Sequence, residues 1–201
     1  MRFKSLAFGA MAAALMLALG STTAVAQQDE DDIYALSYYS NANKAGAPDG
    51  VLRVVNDGFL SDASPAGDLC ASIYVFDSQE QLSECCSCKV TPNGILSLSV
   101  NTNLTSNTLT GATPTRGVVK VISSSPTGGG CMPQFVVQQI GIRAWITHIQ
   151  KVSGTGFSQT EEELTDANDS FPEAIDLAED CEVLRELGTG YGICSCTDSL
   201  Q

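Results

Sequence analysis

Eight cysteines are the feature that most limits what this chain can become, and all of them lie after residue 69. Three fall within four positions in SECCSCKV (83–90), and two more close the run GICSC (192–196). The full set is Cys70, Cys85, Cys86, Cys88, Cys131, Cys181, Cys194 and Cys196. Cysteines at this density indicate either disulfides or a metal site, and the compartment decides between the two.

The N-terminus has the layout of a secretory signal peptide. Arg2 and Lys4 precede an apolar stretch, residues 6–19, and Ala24-Val25-Ala26 is a small-x-small cleavage site. The apolar stretch is too short for a membrane span and is followed by that site. We therefore expect residues 1–26 to be removed, without membrane insertion. The mature chain is expected to be secreted, extracellular or at the cell surface, with the periplasm as the alternative.

An even number of cysteines in an exported chain favours four disulfides over a metal. The two C-x-C pairs, Cys86/Cys88 and Cys194/Cys196, could supply four thiolates, but zinc sites favour a wider C-x(2–4)-C spacing. We expect all eight cysteines to be paired, with no metal and no cofactor. The connectivity stays open, except that a hairpin of residues 69–77 and 84–90 would set Cys70 opposite Cys88, or opposite Cys86 or Cys85 if the hairpin contains a bulge.

The charge balance argues against two kinds of partner. The full chain carries 10 Lys+Arg and 23 Asp+Glu, and the signal peptide holds two of the basic residues. The mature chain therefore has 10 − 2 = 8 basic against 23 acidic residues, a formal charge of 8 − 23 = −15. Such a surface repels nucleic acid and anionic lipid, so neither is expected as a partner.

Short alternating segments predict a mainly β chain. Leu96, Leu98 and Val100 alternate with polar residues, and Asp57-Gly58 and Pro92-Asn93-Gly94 are turn signals between segments. The predicted strands are 52–56, 69–77, 84–90, 95–104, 117–123, 140–152 and 157–164. This pattern indicates one disulfide-stapled antiparallel β-sandwich, Ig-like or similar, over residues 51–201.

One helix is predicted near the C-terminus. Ser170, Pro172 and Glu173 resemble a capping-box start, and the apolar residues that follow fall at helical spacing as far as Cys181. The glycine-rich run 187–192 is then expected to turn into a last strand, residues 193–196.

Residues 27–50 are expected to form an N-terminal arm ahead of the domain. The run begins acidic and ends in Asn, Ala, Gly and Pro, but its centre, 33–39, is apolar and aromatic. Such a segment can add as a strand to the sheet of a neighbouring subunit. Whether it pairs in its own chain or in another stays open. The residues expected to make the assembly contact are Ile33, Tyr34, Leu36 and Tyr38, with Ala35 and Ser37 facing away.

Three runs support the domain assignment by resemblance: LCASIYVFDSQEQLSECCSCKVTPNGILSLSVNTNLT, IRAWITHIQ and LGTGYGICSC. They resemble a family of small exported, cysteine-rich proteins from environmental bacteria with no known activity. The likeness covers most of 52–196 and includes all eight cysteines. It implies a secreted, disulfide-stapled domain, and it carries over no catalytic residue.

The sequence does not indicate an enzyme. It lacks G-x-S-x-G, H-E-x-x-H and S-x-x-K motifs, and its only histidine, His148, lies in an alternating strand beside Ile142, Ala144 and Ile146. We expect His148 to be a structural hydrogen-bonding residue, and no catalytic residue is assigned. A calcium site among Glu161–Glu163, Asp166, Asn168 and Asp169 is a secondary hypothesis, because the spacing lacks the EF-hand glycine and terminal glutamate.

Two classes of function remain. The first is a structural or interaction protein that binds copies of itself or another surface protein, with strand addition giving a filament. The alternative is a module that binds extracellular ligands or polymers, or, less favoured, a hydrolase of them, since a pair of carboxylates leaves no sequence mark.

Overall fold

A computed structural model describes residues 33–58, 60, 66–128, 130–154, 156–166 and 171–197. The predicted signal peptide and the first residues of the predicted arm lie outside this part of the chain. The strands are β1 (Tyr34–Ser40), β2 (Val51–Asn56), β3 (Leu69–Asp77), β4 (Leu82–Val90), β5 (Ile95–Ser99), β6 (Arg116–Ser124), β7 (Ile142–Lys151), β8 (Phe157–Glu163) and β9 (Thr165–Asp166). One helix, α1 (Phe171–Glu186), follows them.

The strands form two antiparallel sheets, which confirms the predicted sandwich. The first sheet has five strands in the order β4-β3-β6-β1-β9, and the second has four in the order β5-β2-β7-β8. Each sheet turns one face inward, because alternate side chains point to opposite faces of a strand. Leu52 and Val54 of β2 and Ile73 and Val121 of the first sheet are fully buried in the shared core.

Helix α1 covers the outer face of the five-stranded sheet. Ala174, Leu177, Ala178 and Cys181 are buried along one side of it, as the helical spacing predicts. They pack with Tyr74, Cys85 and Ile122 in a second apolar cluster. The helix continues one turn beyond the expected end, because Leu184 extends the same buried side.

Two predicted strands differ from the structure. The strand expected over 95–104 ends at Ser99, and residues Val100–Leu104 form a π-helical turn. Polar side chains divert the backbone there: the Ser99 hydroxyl accepts from Thr102 N, and Asn103 Oδ1 accepts from Ser99 N. Such local side-chain bonds compete with the ladder of a strand. The run 193–196, expected as a last strand, makes only a single parallel bridge, Cys85 to Ile193.

All eight cysteines are paired in four disulfides, as predicted. The bridges are Cys70–Cys131, Cys85–Cys181, Cys86–Cys194 and Cys88–Cys196. The predicted Cys70–Cys88 disulfide is wrong, although the predicted hairpin of β3 and β4 is present. Cys70 lies opposite Lys89, and a register shift falls between Val75 and Phe76. The bridges therefore bind the edge strand β4 to α1 and to the C-terminal segment.

No helix among the described residues is both long and apolar enough to cross a membrane.

Candidate functional site

The apolar centre of the predicted N-terminal arm, for which pairing in its own chain or in another was left open, is a strand of its own domain. Residues Tyr34–Ser40 pair with β6 over their whole length, from Tyr34 opposite Ile122 to Ser40 opposite Arg116. On the other side β9 pairs only with Ala35 and Leu36. The boundary expected at residue 51 therefore differs from the structure. The segment lies in its own sheet because its apolar side chains, Ala35 and Tyr39, form part of the core between the two sheets.

The side chains of β1 alternate between two environments. Ala35 and Tyr39 are buried in the core between the sheets, and Tyr39 donates from its hydroxyl to Phe76 O at 3.0 Å. Tyr34 and Leu36, expected to enter a groove, are half-buried on the face that α1 covers, and Tyr38 is 44% exposed. The intermolecular contact expected of Ile33, Tyr34, Leu36 and Tyr38 stays a prediction.

No disulfide holds β1. The four bridges join β3, β4, α1 and the segments around Cys131 and Cys194–Cys196, whereas the first cysteine of the chain is Cys70. The strand β1 is therefore retained by hydrogen bonds and packing alone. The linker 41–50 connects it to β2 in the opposite sheet. The sequence already shows that no cysteine precedes residue 70; the place of this segment in the sheet is what it did not show.

A polar cluster lies where β1, β7 and β8 meet. Ser37 Oγ is 3.0 Å from His148 Nε2, and His148 Nδ1 is 3.3 Å from Glu162 Oε2. The imidazole is 1% exposed, and the Tyr38 ring lies against it with centroids 3.9 Å apart. The side chain of Glu162 is 62% exposed, so the cluster reaches solvent. We call these three residues, Ser37, His148 and Glu162, the Ser–His–Glu cluster.

His148 forms a hydrogen bond in the structure, as the sequence predicts, and its partner is Ser37. Burial lowers the pKa of His148, and the nearby carboxylate of Glu162 raises it by a smaller amount. The imidazole is therefore neutral near pH 7. With its proton on Nδ1, the ring accepts the Ser37 O–H at Nε2 and presents its N–H to Glu162. That approach is at ion-pair distance, but Nδ1 is not aligned for a hydrogen bond.

The three glutamates of β8 do not converge on one point. Glu161 pairs with Arg53 and Glu163 with Arg143, while Glu162 is directed to His148. Alternation along the strand separates Glu162 from its two neighbours. Glu161, Glu162 and Glu163 therefore cannot bind one calcium ion together in this arrangement. The side chain of Asp166, and the residues Asn168 and Asp169, lie outside the described part of the chain. The charges on β8 instead protect an edge strand from pairing with another chain.

A second unusual carboxyl lies in the interior. Glu84 on β4 is fully buried, and its Oε1 accepts from Asn107 N at 2.7 Å, whereas its Oε2 has no hydrogen-bond partner. Burial raises the pKa of Glu84 from 4.5 to about 7, against a smaller opposing effect of the Asn107 hydrogen bond. Nothing in the sequence around Glu84 distinguished it from a surface residue of an edge strand.

One close group of potential metal ligands occurs in the described part of the chain. It consists of the sulfur atoms of Cys86, Cys88 and Cys196, which lie within 4.8 Å of one another. All three belong to disulfides, so they are not thiolates and cannot ligate a metal in this state. The proximity reflects two adjacent bridges between β4 and the C-terminal segment.

The comparisons with known proteins give no match: no family model, no curated protein and no solved structure resembles the chain significantly. The fold assignment therefore rests on the structure itself. The resemblance to exported cysteine-rich proteins stays a prediction.

Proposed function

We propose that the mature chain is an exported interaction protein, secreted or held at the cell surface, that associates with copies of itself by exchanging β1. The observation that carries this proposal is the contrast between the disulfide-stapled body and the unstapled first strand. Exchange of an identical element restores in the assembly every contact that it breaks in the monomer. Neither new side chains nor a new surface is needed.

The geometry of β1 supports such an exchange. Its withdrawal interrupts its pairing with β6 and the two residue pairs with β9, and within the part of the chain that the structure describes no strand lies beyond β9 in this sheet. A neighbouring copy would supply the same Ala35 and Tyr39 to the core. The linker 41–50 can reach a second subunit, because ten extended residues span about 33–36 Å.

Concentration and salt decide between the closed and exchanged forms. In an isolated chain the short linker gives β1 a high effective concentration at its own groove, so the monomer is favoured in dilute solution. Exchange gains as copies are crowded together. The mature charge of −15 opposes their approach, and salt screens it, so association should increase with ionic strength. Exchange that does not close into a ring produces a filament.

The test is a variant whose first strand cannot leave. Leu36 and Lys120 are direct partners in the β1–β6 register, so the combined Leu36→Cys and Lys120→Cys variant should form an intrachain bridge between the two strands. The matched control is the Leu36→Ser and Lys120→Ser variant, which removes the same side chains without a bridge. Peptide mapping establishes the bridge, and light scattering after size exclusion gives the mass.

The wild-type mature protein and the serine control should shift from monomer to larger species with concentration and salt. The bridged variant should stay monomeric throughout. Association of the bridged variant to the same extent as the control would show that another surface makes the contact. A wild-type protein that stays monomeric in concentrated, high-salt solution would refute self-association itself.

A further inference from the structure

The structure assigns to the Ser–His–Glu cluster the arrangement of a hydrolytic site, and we propose that Ser37 is the nucleophile of an esterase activity towards small uncharged carboxylic esters. The three side chains come from β1, β7 and β8, so no short sequence motif contains them. Ser37 and His148 are 111 positions apart. This inference does not depend on the exchange of β1, because an exchanged strand would bring Ser37 to His148 of a second copy.

The order of atoms is the order that nucleophilic catalysis requires. The hydroxyl of Ser37 contacts Nε2 of His148 at 3.0 Å, and the opposite ring nitrogen faces the carboxylate of Glu162 at 3.3 Å. A base within hydrogen-bond reach of the nucleophile, oriented by a third group, is the general signature of an activated serine. Poor alignment at Nδ1 in the absence of substrate is common in such sites. The exposed side chain of Glu162 has room to rotate into line.

A backbone donor lies next to the nucleophile. Ile33 O accepts from Ser123 N at 2.7 Å, so the odd-numbered residues of β1 direct their backbone groups towards β6. The even-numbered residues direct theirs away from β6, and β9 covers this side only as far as Leu36. The N–H of Tyr38, immediately after Ser37, is therefore on the side that β9 leaves uncovered. The N–H of the residue after the nucleophile is a recurring oxyanion donor.

The chemistry needs no further reactant than an ester and water. Ser37 Oγ attacks the carbonyl carbon, and its proton moves to His148 Nε2 while the negative charge on the carbonyl oxygen faces Tyr38 N–H. The C–O bond to the alcohol breaks, and the proton on Nε2 passes to the leaving oxygen. Water, deprotonated by the same nitrogen, then attacks the acyl carbon, the bond from that carbon to Ser37 Oγ breaks, and the proton on Nε2 returns to Ser37 Oγ as the acid is released. Glu162 acts as a positioning residue through His148.

The surroundings define the class of ester. The carboxylate of Glu162, which belongs to the cluster, disfavours an anionic acyl group. The partly exposed ring of Tyr38 offers an apolar wall. With one backbone donor rather than two, the site favours esters, whose leaving groups depart more readily than amines.

Labelling with an uncharged fluorophosphonate probe tests the proposal on the oxidised mature protein, with the modified residue located by peptide mass spectrometry. Label is expected on Ser37, and none on that peptide after Ser37→Ala. The matched control is Ser40→Ala: Ser40 lies on the same strand but donates to Ile149 O rather than to an imidazole, so its loss should leave labelling intact. His148→Gln should slow labelling by about 100-fold or more.

The role of Glu162 has a separate readout. Because its carboxylate raises the pKa of His148, Glu162→Gln should move the midpoint of the pH–labelling profile to lower pH as well as slow the reaction. Glu161→Gln, which removes the neighbouring charge that pairs with Arg53, should leave the midpoint closer to that of the wild type. All variants are first compared with the wild type by circular dichroism. A folded wild-type protein without label on Ser37, or labelling unaffected by His148→Gln, would overturn the proposal.

Discussion

Removing the Cys88–Cys196 disulfide should destabilise the protein less than removing Cys70–Cys131, although the sequence separation is 108 residues in the first case and 61 in the second. A disulfide stabilises mainly by restricting the unfolded chain, and longer loops give larger effects. Taken independently, the two bridges would contribute about 5 and about 4 kcal/mol. The structure shows that they are not independent.

The reason is the adjacent bridge Cys86–Cys194, which also closes 108 residues. Once that bridge exists, Cys88–Cys196 closes a ring of only about six residues, which corresponds to about 2 kcal/mol. No other bridge shortens the loop closed by Cys70–Cys131, so its removal keeps the full effect of about 4 kcal/mol. The order of the two effects is therefore the reverse of the order of loop lengths.

The assay compares two variants, Cys88→Ala with Cys196→Ala and Cys70→Ala with Cys131→Ala, by urea unfolding without reductant. Intact mass before unfolding confirms that the other three bridges are formed in each variant. A loss of unfolding free energy at least as large for the Cys88–Cys196 variant as for the Cys70–Cys131 variant would refute the argument from nested loops.

Three other predictions follow from single positions. Because the pKa of Glu84 is raised from 4.5 to about 7 by burial, the native state holds this proton more tightly, and stability should fall as pH rises through that window and level off above it. Glu84→Gln should remove up to about 3 kcal/mol of this pH-dependent loss of unfolding free energy. The loss is measured by urea unfolding of the wild type and the variant at pH 5 and at pH 8. Unfolding free energies that change in parallel with pH in the two proteins would contradict the prediction. Gly117→Ala should lower the unfolding free energy by about 2 kcal/mol or more, because the new Cβ would overlap Phe76 O and come within 2.6 Å of the Tyr39 hydroxyl. The control is Gly130→Ala, which has open space around the new Cβ and should leave the unfolding free energy nearly unchanged. Intact mass of the exported protein should correspond to a chain that starts at Gln27, and a start displaced by more than a few residues would contradict the predicted cleavage site.

The fold was predictable wherever side chains alternate cleanly. In β7 the buried Ile149 departs from the pattern, but the residues Ile142, Ala144, Ile146 and His148 are buried as alternation predicts. The same holds for the buried side of α1. These patterns are local, because the periodicity of a strand or a helix appears within a short run of consecutive residues.

Long-range partners were the part that could not be predicted. Flanking acidic and glycine-rich residues made β1 resemble a linker, and its partner β6 begins only at Arg116. The disulfide connectivity depends on long-range neighbours, because the three cysteines of β4 bind α1 and the C-terminal segment and none of them bridges to β3. The Ser–His–Glu cluster joins three strands from both sheets, so only the folded arrangement brings Ser37 to His148.

The burial of Glu84 was hidden for a different reason. Its neighbours Cys85 and Cys86 belong to different clusters, so β4 is buried on both faces although it ends a sheet. Helix α1 covers the face that carries Cys85, and the C-terminal segment bonds to the outer edge of β4 through Cys85 N to Gly192 O and Cys194 N to Cys85 O. An edge strand read from sequence alone is expected to have one solvated face.

The most direct test of strand exchange is covalent trapping between two different chains. A Leu36→Cys protein and a Lys120→Cys protein are mixed at high concentration and salt, and then oxidised. In an exchanged pair, position 36 of one chain lies opposite position 120 of the other, as the two positions do within one chain. Exchange predicts a covalent heterodimer whose new bridge maps to positions 36 and 120. Recovery of monomers only, or of 36–36 and 120–120 bridges in random proportion, would contradict the account.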